Sequence, residues 1–158
     1  QKFYDGDILY QFEPVQIITH MFMHGDEKHL LFNMFGLYLL GPYVEAALGH
    51  KRFLVLYLTA GVIASAIQLF VTKGIVLGAS GAVFGILAAF ATMFPNVEMM
   101  LLFPPIPIRA KYLALILIGI GLFSGITDSQ PGIGHFAHIG GAVVGFLLIR
   151  YWRMANIR

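Results

Sequence analysis

Long apolar stretches, separated by short polar or proline-rich connections, dominate the hydrophobic pattern of this chain. A helix needs about 20 apolar residues to cross a bilayer, and five stretches approach that length. They lie at roughly 30–48, 53–72, 74–94, 110–126 and 135–152. The pattern therefore predicts an all-α, polytopic membrane protein in which five transmembrane helices occupy residues 29–152.

Composition indicates that lipid is the solvent of this chain. Hydrophobic residues make up 58% of it and charged residues 11%, and its mean hydropathy is +0.79. These values are far from those of soluble globular proteins. The 158 residues suffice for one domain, and cysteine is absent, so no disulfide framework is possible. We therefore predict a single membrane domain over residues 1–158.

The ten Lys and Arg residues lie mainly in the connections and not on one aromatic-interleaved surface, which argues against a nucleic-acid partner. Alternate connections divide them seven to three. The larger set is Lys51, Arg52, Arg109, Lys111, Arg150, Arg153 and Arg158. Because basic residues near span ends stay on the inner side, we predict an exoplasmic interfacial loop at 1–28 and a cytoplasmic tail at 153–158.

Ser80 lies in the motif GASG, at a predicted transition from loop to helix. Free N–H groups at a helix N-terminus can stabilise an oxyanion, which is what a nucleophilic serine requires. Gly81 and Gly85 also form a GxxxG pair, a spacing typical of closely packed membrane helices. Taken alone, the motif fits either a nucleophile or a packing face.

His138 lies in the motif AHIGG and is followed on the same helical face by Gly141 and Gly145. Two glycine faces can pack backbone to backbone, which would bring His138 against Ser80. A neutral imidazole within about 3 Å of a serine hydroxyl can remove its proton. The alternative is a buried histidine that only packs.

His29 and Asn33 are four residues apart, so both side chains emerge on one face of the first span. Their N–H donors could complete an oxyanion hole, or they could form an ordinary capping or interhelical pair. Glu45 and Gln68 are interpreted as structural residues that form hydrogen bonds between helices or lie near an interface.

Taken together and in this order, the motifs resemble the rhomboid family of intramembrane serine proteases. The resemblance is carried by HGDEKHLLFN, GPYVE, GASG and AHIGG, over residues 13–152. It implies a catalytic dyad of Ser80 and His138, and an oxyanion site formed by His29, Asn33 and the Ser80 backbone. It implies no cofactor and no metal.

The resemblance also implies supporting positions. His24 would be a structural member of the outer loop, Gly78 would lie beside the nucleophile, and Glu45 would tie the inner end of the first span. Phe84 replaces a tyrosine of some members and keeps a ring that can stack on His138. The packing glycines complete the set: Gly81, Gly141 and Gly145.

Two departures from the family pattern stand out. Members have at least six spans, so a further helix is predicted to precede Gln1. Some members carry a Trp–Arg pair in the outer loop, where this chain has Val15 and Gln16.

A helix from Ser80 to Phe94 is also too short to cross the bilayer. We therefore expect Ser80 below the outer surface, in a hydrated cavity.

The predicted function is an intramembrane serine endopeptidase that cleaves single-span membrane proteins. We expect a multi-pass protein of the bacterial inner (plasma) membrane whose active site opens to the outer side; the oligomeric state stays open. One alternative is a noncatalytic rhomboid-like scaffold that binds transmembrane helices. Six histidines prompt another, a metal site, but the HExxH motif is absent.

Overall fold

The computed structural model describes residues 2–5, 8–11, 13–71, 77–101, 104–127 and 134–155. Helices dominate this part of the chain. In chain order they are α1 (Gln16–Thr19), a 3₁₀ turn (His20–Phe22), α2 (Glu27–Leu48), α3 (His50–Val71), α4 (Ser80–Met93), α5 (Ala110–Thr127) and α6 (His135–Ala155).

Within the described residues, α2, α3 and α5 are each long and apolar enough to cross a membrane, and α4 is a shorter apolar helix. The chain is an integral, multi-pass membrane protein. Four of the predicted stretches coincide closely with helices, but the third, 74–94, begins too early. Helix α4 starts only at Ser80 because Gly78 has a φ of +102°, which no right-handed helix contains. The count of five spans and the additional first helix remain predictions.

The prediction of an all-α chain missed two antiparallel hairpins. Strand β1 (Lys2–Asp5) pairs with β2 (Ile8–Gln11), and β3 (Glu98–Met100) pairs with β4 (Pro107–Arg109). Pro95, Pro104, Pro105 and Pro107 disfavour a helix here, and the described residues of 95–109 contain none. Strands of three or four residues are too short for an alternating pattern to stand out from an apolar run.

Local signals explain where α2 begins and ends. Asp26 is its N-cap, and the carboxylate accepts a hydrogen bond of 2.8 Å from the backbone N–H of His29. Gly49 ends the helix with a φ of +78°, a conformation in which glycine avoids the Cβ clash. Its N–H donates to the Glu45 carbonyl at 2.7 Å. The turn lets α3 begin at the next residue.

Helix α4 lies at the centre of the bundle, with nine of its residues buried, and packs against α6, α3 and α2. The contact with α6 is made by backbone. A Cβ added to Gly141 would collide with the Gly81 carbonyl, and one added to Gly145 would collide with the Gly85 carbonyl. The predicted backbone-to-backbone packing of the two glycine faces is confirmed.

Large apolar side chains cover the outer faces of the bundle. Exposed fractions reach 72% for Phe32 on α2, 92% for Phe70 on α3 and 67% for Phe123 on α5. Apolar surface this extensive is not found on monomeric soluble proteins. These faces are where the protein contacts lipid.

Adding a methyl group at the glycine seam should destabilise the bundle. We expect Gly141→Ala to lower the free energy of unfolding by about 1–3 kcal/mol, because the new Cβ would overlap the Gly81 carbonyl. Gly119→Ala on α5 is the matched control, since a Cβ there meets nothing within 4 Å. The control should be neutral or slightly stabilising, as alanine is the better helix former. The measurement is reversible unfolding in mixed micelles, and equal stability of the two variants would contradict the close packing.

Candidate active site

Ser80 is the first residue of α4 and is partly exposed. The backbone N–H groups in the first turn of a helix lack carbonyl partners within that helix. They also lie at the positive end of the helix dipole. A hydroxyl at this position therefore stands next to donors that could bind a developing negative charge.

The His138 ring stacks on the Phe84 ring, with centroids 4.3 Å apart and planes 2° from parallel. Phe84 lies one turn after Ser80 on the same face of α4. The predicted stacking is confirmed. The His135 ring also approaches the His138 ring edge-on, with centroids 6.3 Å apart.

The packing of α6 on α4 thus brings His138 to the turn that carries Ser80. A Cβ on Gly81 would lie 3.5 Å from the carbonyl oxygen of Ala137, so the neighbours of both residues are in contact range. Among the described residues, no hydrogen bond joins the Ser80 hydroxyl to the His138 ring. The catalytic pairing of the two residues stays a prediction.

Gly78 brings the side chains of His29 and Asn33 to the loop before α4. A Cβ built on Gly78 would lie 2.6 Å from both Cε1 and Nε2 of His29, and 3.7 Å from Nδ2 of Asn33. Asn33 is buried, and its amide donates to the His29 carbonyl at 2.8 Å. That bond uses one of the two amide hydrogens. Both predicted oxyanion residues therefore flank the loop two positions before Ser80.

The segment before α2 holds this loop in place. The Gly78 N–H donates to the His20 carbonyl at 2.9 Å. The His20 ring is buried, and its Nδ1 lies 2.9 Å from the Gln16 carbonyl, to which it donates. Met21 is 1% exposed and fills the notch that Gly61 leaves in α3.

His20 is the residue at this site that motif analysis missed, because it was weighed only as a possible metal ligand. Its contact with Gly78 is made by the backbone carbonyl, which every residue type has, so the residue type at position 20 does not predict this contact. The available signal was a histidine inside the apolar run IITHMFM. A polar ring in such a run must find a partner if it is buried.

The His24 ring packs edge-on against His29, with centroids 5.2 Å apart. Its Nε2 is buried and has no hydrogen-bond partner among the described residues. His24 thus lies beside the oxyanion candidates, and its structural role in the outer loop stays a prediction.

Two polar residues of the spans lie outside the site. Gln68 accepts a hydrogen bond of 3.0 Å from the backbone N–H of Ala137, which joins α3 to α6 and confirms its interhelical role. Glu45 accepts from His50 Nδ1 at 2.6 Å and connects the end of α2 to the start of α3. In the described part of the chain, no group of three or more His, Asp or Glu side chains could hold a metal ion.

Comparison with known proteins identifies the same family throughout. The Rhomboid domain model matches residues 11–154. The mitochondrial Rhomboid protein 1 of Saccharomyces cerevisiae is 30% identical over 145 residues, which cover 87% of this chain and 42% of that protein. RHOMBOID-like protein 4 of Arabidopsis thaliana is 36% identical over 138 residues, which cover 86% of this chain and 33% of that protein. Rhomboid protease GluP of Bacillus subtilis is 30% identical over 142 residues, which cover 90% of this chain and 27% of that protein.

The chain therefore spans less than half the length of these relatives. One relative is mitochondrial by name, one comes from a plant and one from a bacterium. These relatives are consistent with an integral membrane protein, but they do not support the predicted location in a bacterial inner membrane.

Acid should destabilise the outer segment through His20. Burial lowers the pKa of His20 below its ordinary value of 6.5, and the hydrogen bond to Gln16 offsets only part of this effect. The unfolded chain therefore binds a proton at His20 more readily than the folded chain, which destabilises the fold in acid. Above pH 6.5 the histidine is mostly neutral in both states, so this destabilisation is absent. Stability should fall as the pH drops from 6.5 through the lowered pKa.

The check is the unfolding midpoint in micelles between about pH 8 and pH 5, for wild type and for His20→Gln. Glutamine can still donate to the Gln16 carbonyl but does not titrate. The variant should lose less stability in acid than the wild type. Identical acid sensitivity would show that His20 is not the group responsible.

Proposed function

The chain belongs to the rhomboid family, and from this premise we propose that it is a serine endopeptidase that cleaves membrane-spanning segments within the bilayer. The observation that carries the proposal is the stacking of His138 on Phe84, one turn from Ser80. His138 thus lies beside the turn of α4 that begins at Ser80. Two relatives of this chain, GluP of Bacillus subtilis and AarA of Providencia stuartii, are named as rhomboid proteases.

In the proposed reaction, the Ser80 oxygen attacks the carbonyl carbon of the scissile peptide bond. His138 takes the hydroxyl proton as the new C–O bond forms and then gives it to the departing amine nitrogen as the C–N bond breaks. Water enters, loses a proton to His138 and attacks the carbonyl carbon of the ester. His138 then gives that proton to the Ser80 oxygen as the ester C–O bond breaks, which frees the acid and restores the serine. The Phe84 ring holds the imidazole plane through both stages.

Negative charge on the tetrahedral intermediate would be met by three sets of donors. The backbone N–H of Ser80 lies at the N-terminus of α4, and the side chains of His29 and Asn33 flank Gly78. Fixed donors of this kind stabilise the transition state most where water is scarce. The positive φ of Gly78 supports the proposal, because it lets the loop pass close to both side chains.

The length of α4 supports a site below the membrane surface. Its 14 residues span about 21 Å at about 1.5 Å each, against a hydrocarbon core of about 30 Å. The loop at 77–79 precedes it without helical structure. Irregular backbone at membrane depth requires a protein-lined, hydrated cavity. Water there would serve hydrolysis.

Substrates of this site would be single-span membrane proteins. A peptide bond inside an intact helix is already hydrogen-bonded, so a substrate must unwind locally to reach Ser80. Segments with glycine or proline near the corresponding membrane face would unwind most easily.

Loss of either dyad member should abolish cleavage. Ser80→Ala removes the nucleophile and His138→Ala removes the base, so both should fall to background in proteoliposomes containing a panel of single-span proteins, with products mapped by mass spectrometry. Ser65→Ala is the matched control, since this buried serine of α3 donates only to the Val62 carbonyl. The control should stay active.

Retention of more than a few per cent of activity by Ser80→Ala would reject the dyad. Wild-type protein that binds the panel without cutting any member would instead favour a noncatalytic scaffold.

Asn33→Ala should slow cleavage without eliminating it. Removing one oxyanion donor typically lowers kcat by about 10²–10³. Asn96→Ala, in the exposed turn after α4, provides the control. Thermal unfolding of both variants separates a loss of catalysis from a loss of fold. Wild-type kinetics for Asn33→Ala would leave Asn33 with a structural role only.

A further inference from the structure

The hairpin between α4 and α5 has an apolar tip. We define the proline hairpin as strands β3 and β4 with the described residues between them, 98–101 and 104–109. Its base is tied to α5, because the N–H of Ala110 donates to the Val97 carbonyl at 2.9 Å and that of Lys111 to the Pro95 carbonyl at 3.3 Å. The hairpin therefore has a fixed position relative to the membrane-spanning helices.

The two faces of the hairpin differ. Met99 packs against the core between the helices. On the outer side and at the tip, Met100 is 65% exposed and Ile106 is 51% exposed. No side chain between Glu98 and Arg109 is charged or polar. If the hairpin projected into water, its exposed apolar surface would be unfavourable by about 25 cal/mol of free energy for each Å².

The polar groups lie at the opposite end, at the base. Glu98 is the cross-strand partner of Arg109. Next to them, the Lys111 ammonium lies 5.1 Å from the centre of the Tyr112 ring. Basic and aromatic side chains in this combination are typical of the headgroup level of a bilayer. The base therefore has the composition of a segment at the headgroup level.

Most backbone N–H groups in the described part of the tip are hydrogen-bonded or absent, which lowers the free energy needed to remove this backbone from water. The N–H of Leu101 donates to the Ile106 carbonyl at 3.1 Å, and the N–H of Ile106 donates to the Pro104 carbonyl at 2.8 Å. Pro104, Pro105 and Pro107 have no N–H at all. Unsatisfied backbone groups are the main obstacle to removing irregular backbone from water. At 101 and 104–107, each backbone N–H is either hydrogen-bonded or absent.

We propose that the tip of the proline hairpin inserts into the interface of the leaflet at which α4 ends, at the boundary between headgroups and acyl chains, with lipid as its partner. Strands of three residues at about 3.3 Å each reach about 10 Å, which matches the depth of about 5–10 Å at which interfacial elements lie. Helix α4 is too short to span the bilayer, so its length alone does not set its depth. Because the hairpin follows α4 directly, insertion of the tip would fix the membrane depth of the inner end of α4. The proposal does not depend on proteolysis.

The absence of native cysteine allows a clean test by spin labelling. Single cysteines are introduced as Ile106→Cys and, independently, Met100→Cys, and the labelled protein is reconstituted into vesicles of phosphatidylcholine and phosphatidylglycerol. Power saturation compares collision with oxygen, which concentrates in lipid, and with a water-soluble nickel chelate. Asn96→Cys, in the turn at the base of the hairpin, is the headgroup-level control, and Phe123→Cys on the outer face of α5 is the lipid control.

Labels at 106 and 100 should resemble the lipid control, with oxygen contact several-fold above nickel contact. Nickel contact equal to or above that at position 96 would overturn the proposal. A second copy of the chain covering the tip would also overturn it. That case would show as dipolar broadening of the spectra that disappears when labelled protein is diluted with unlabelled protein.

Discussion

The contact between α4 and α6 is the constraint on which the rest of this structure depends. In lipid no hydrophobic force draws two apolar helices together, so they associate through close packing and hydrogen bonds. Here Gly81 faces Gly141 and Gly85 faces Gly145, with backbone against backbone. Because α6 comes this close, His138 can lie flat on Phe84. A bulkier seam would separate the helix that carries the candidate nucleophile from the helix that carries its base.

The second requirement is a break in helical structure just before α4. Gly78 adopts a left-handed conformation and passes close to His29, while its N–H is held by the His20 carbonyl. One glycine thus connects the outer segment, α2 and the start of α4. The segment is itself anchored in the bundle, because Met21 is buried against Gly61 of α3. The chemistry proposed for this site relies on that rigidity, since oxyanion donors act only when they are already in position.

The bilayer explains features that would be faults in a soluble protein. Large apolar side chains are exposed on α2, α3 and α5, and a short helix, α4, is buried at the centre. Surrounding α4 with longer helices lets irregular backbone lie at membrane depth while shielded from lipid. At the other end of α4, the described part of the proline hairpin presents exposed apolar side chains. Both ends of the central helix therefore fit the membrane depths that we propose for them.

Features that depend on local spacing could be read from the sequence alone. Apolar stretches of span length predicted the helices, and four-residue spacing predicted both the glycine faces and the shared face of His29 and Asn33. Tertiary structure decided where α4 begins, which glycines meet, and that His20 holds Gly78. It also formed the two hairpins, which an all-α prediction excluded. These features depend on backbone conformation and on contacts between distant segments. A backbone carbonyl is common to every residue, so the sequence carries no sign of the partner that it will bind.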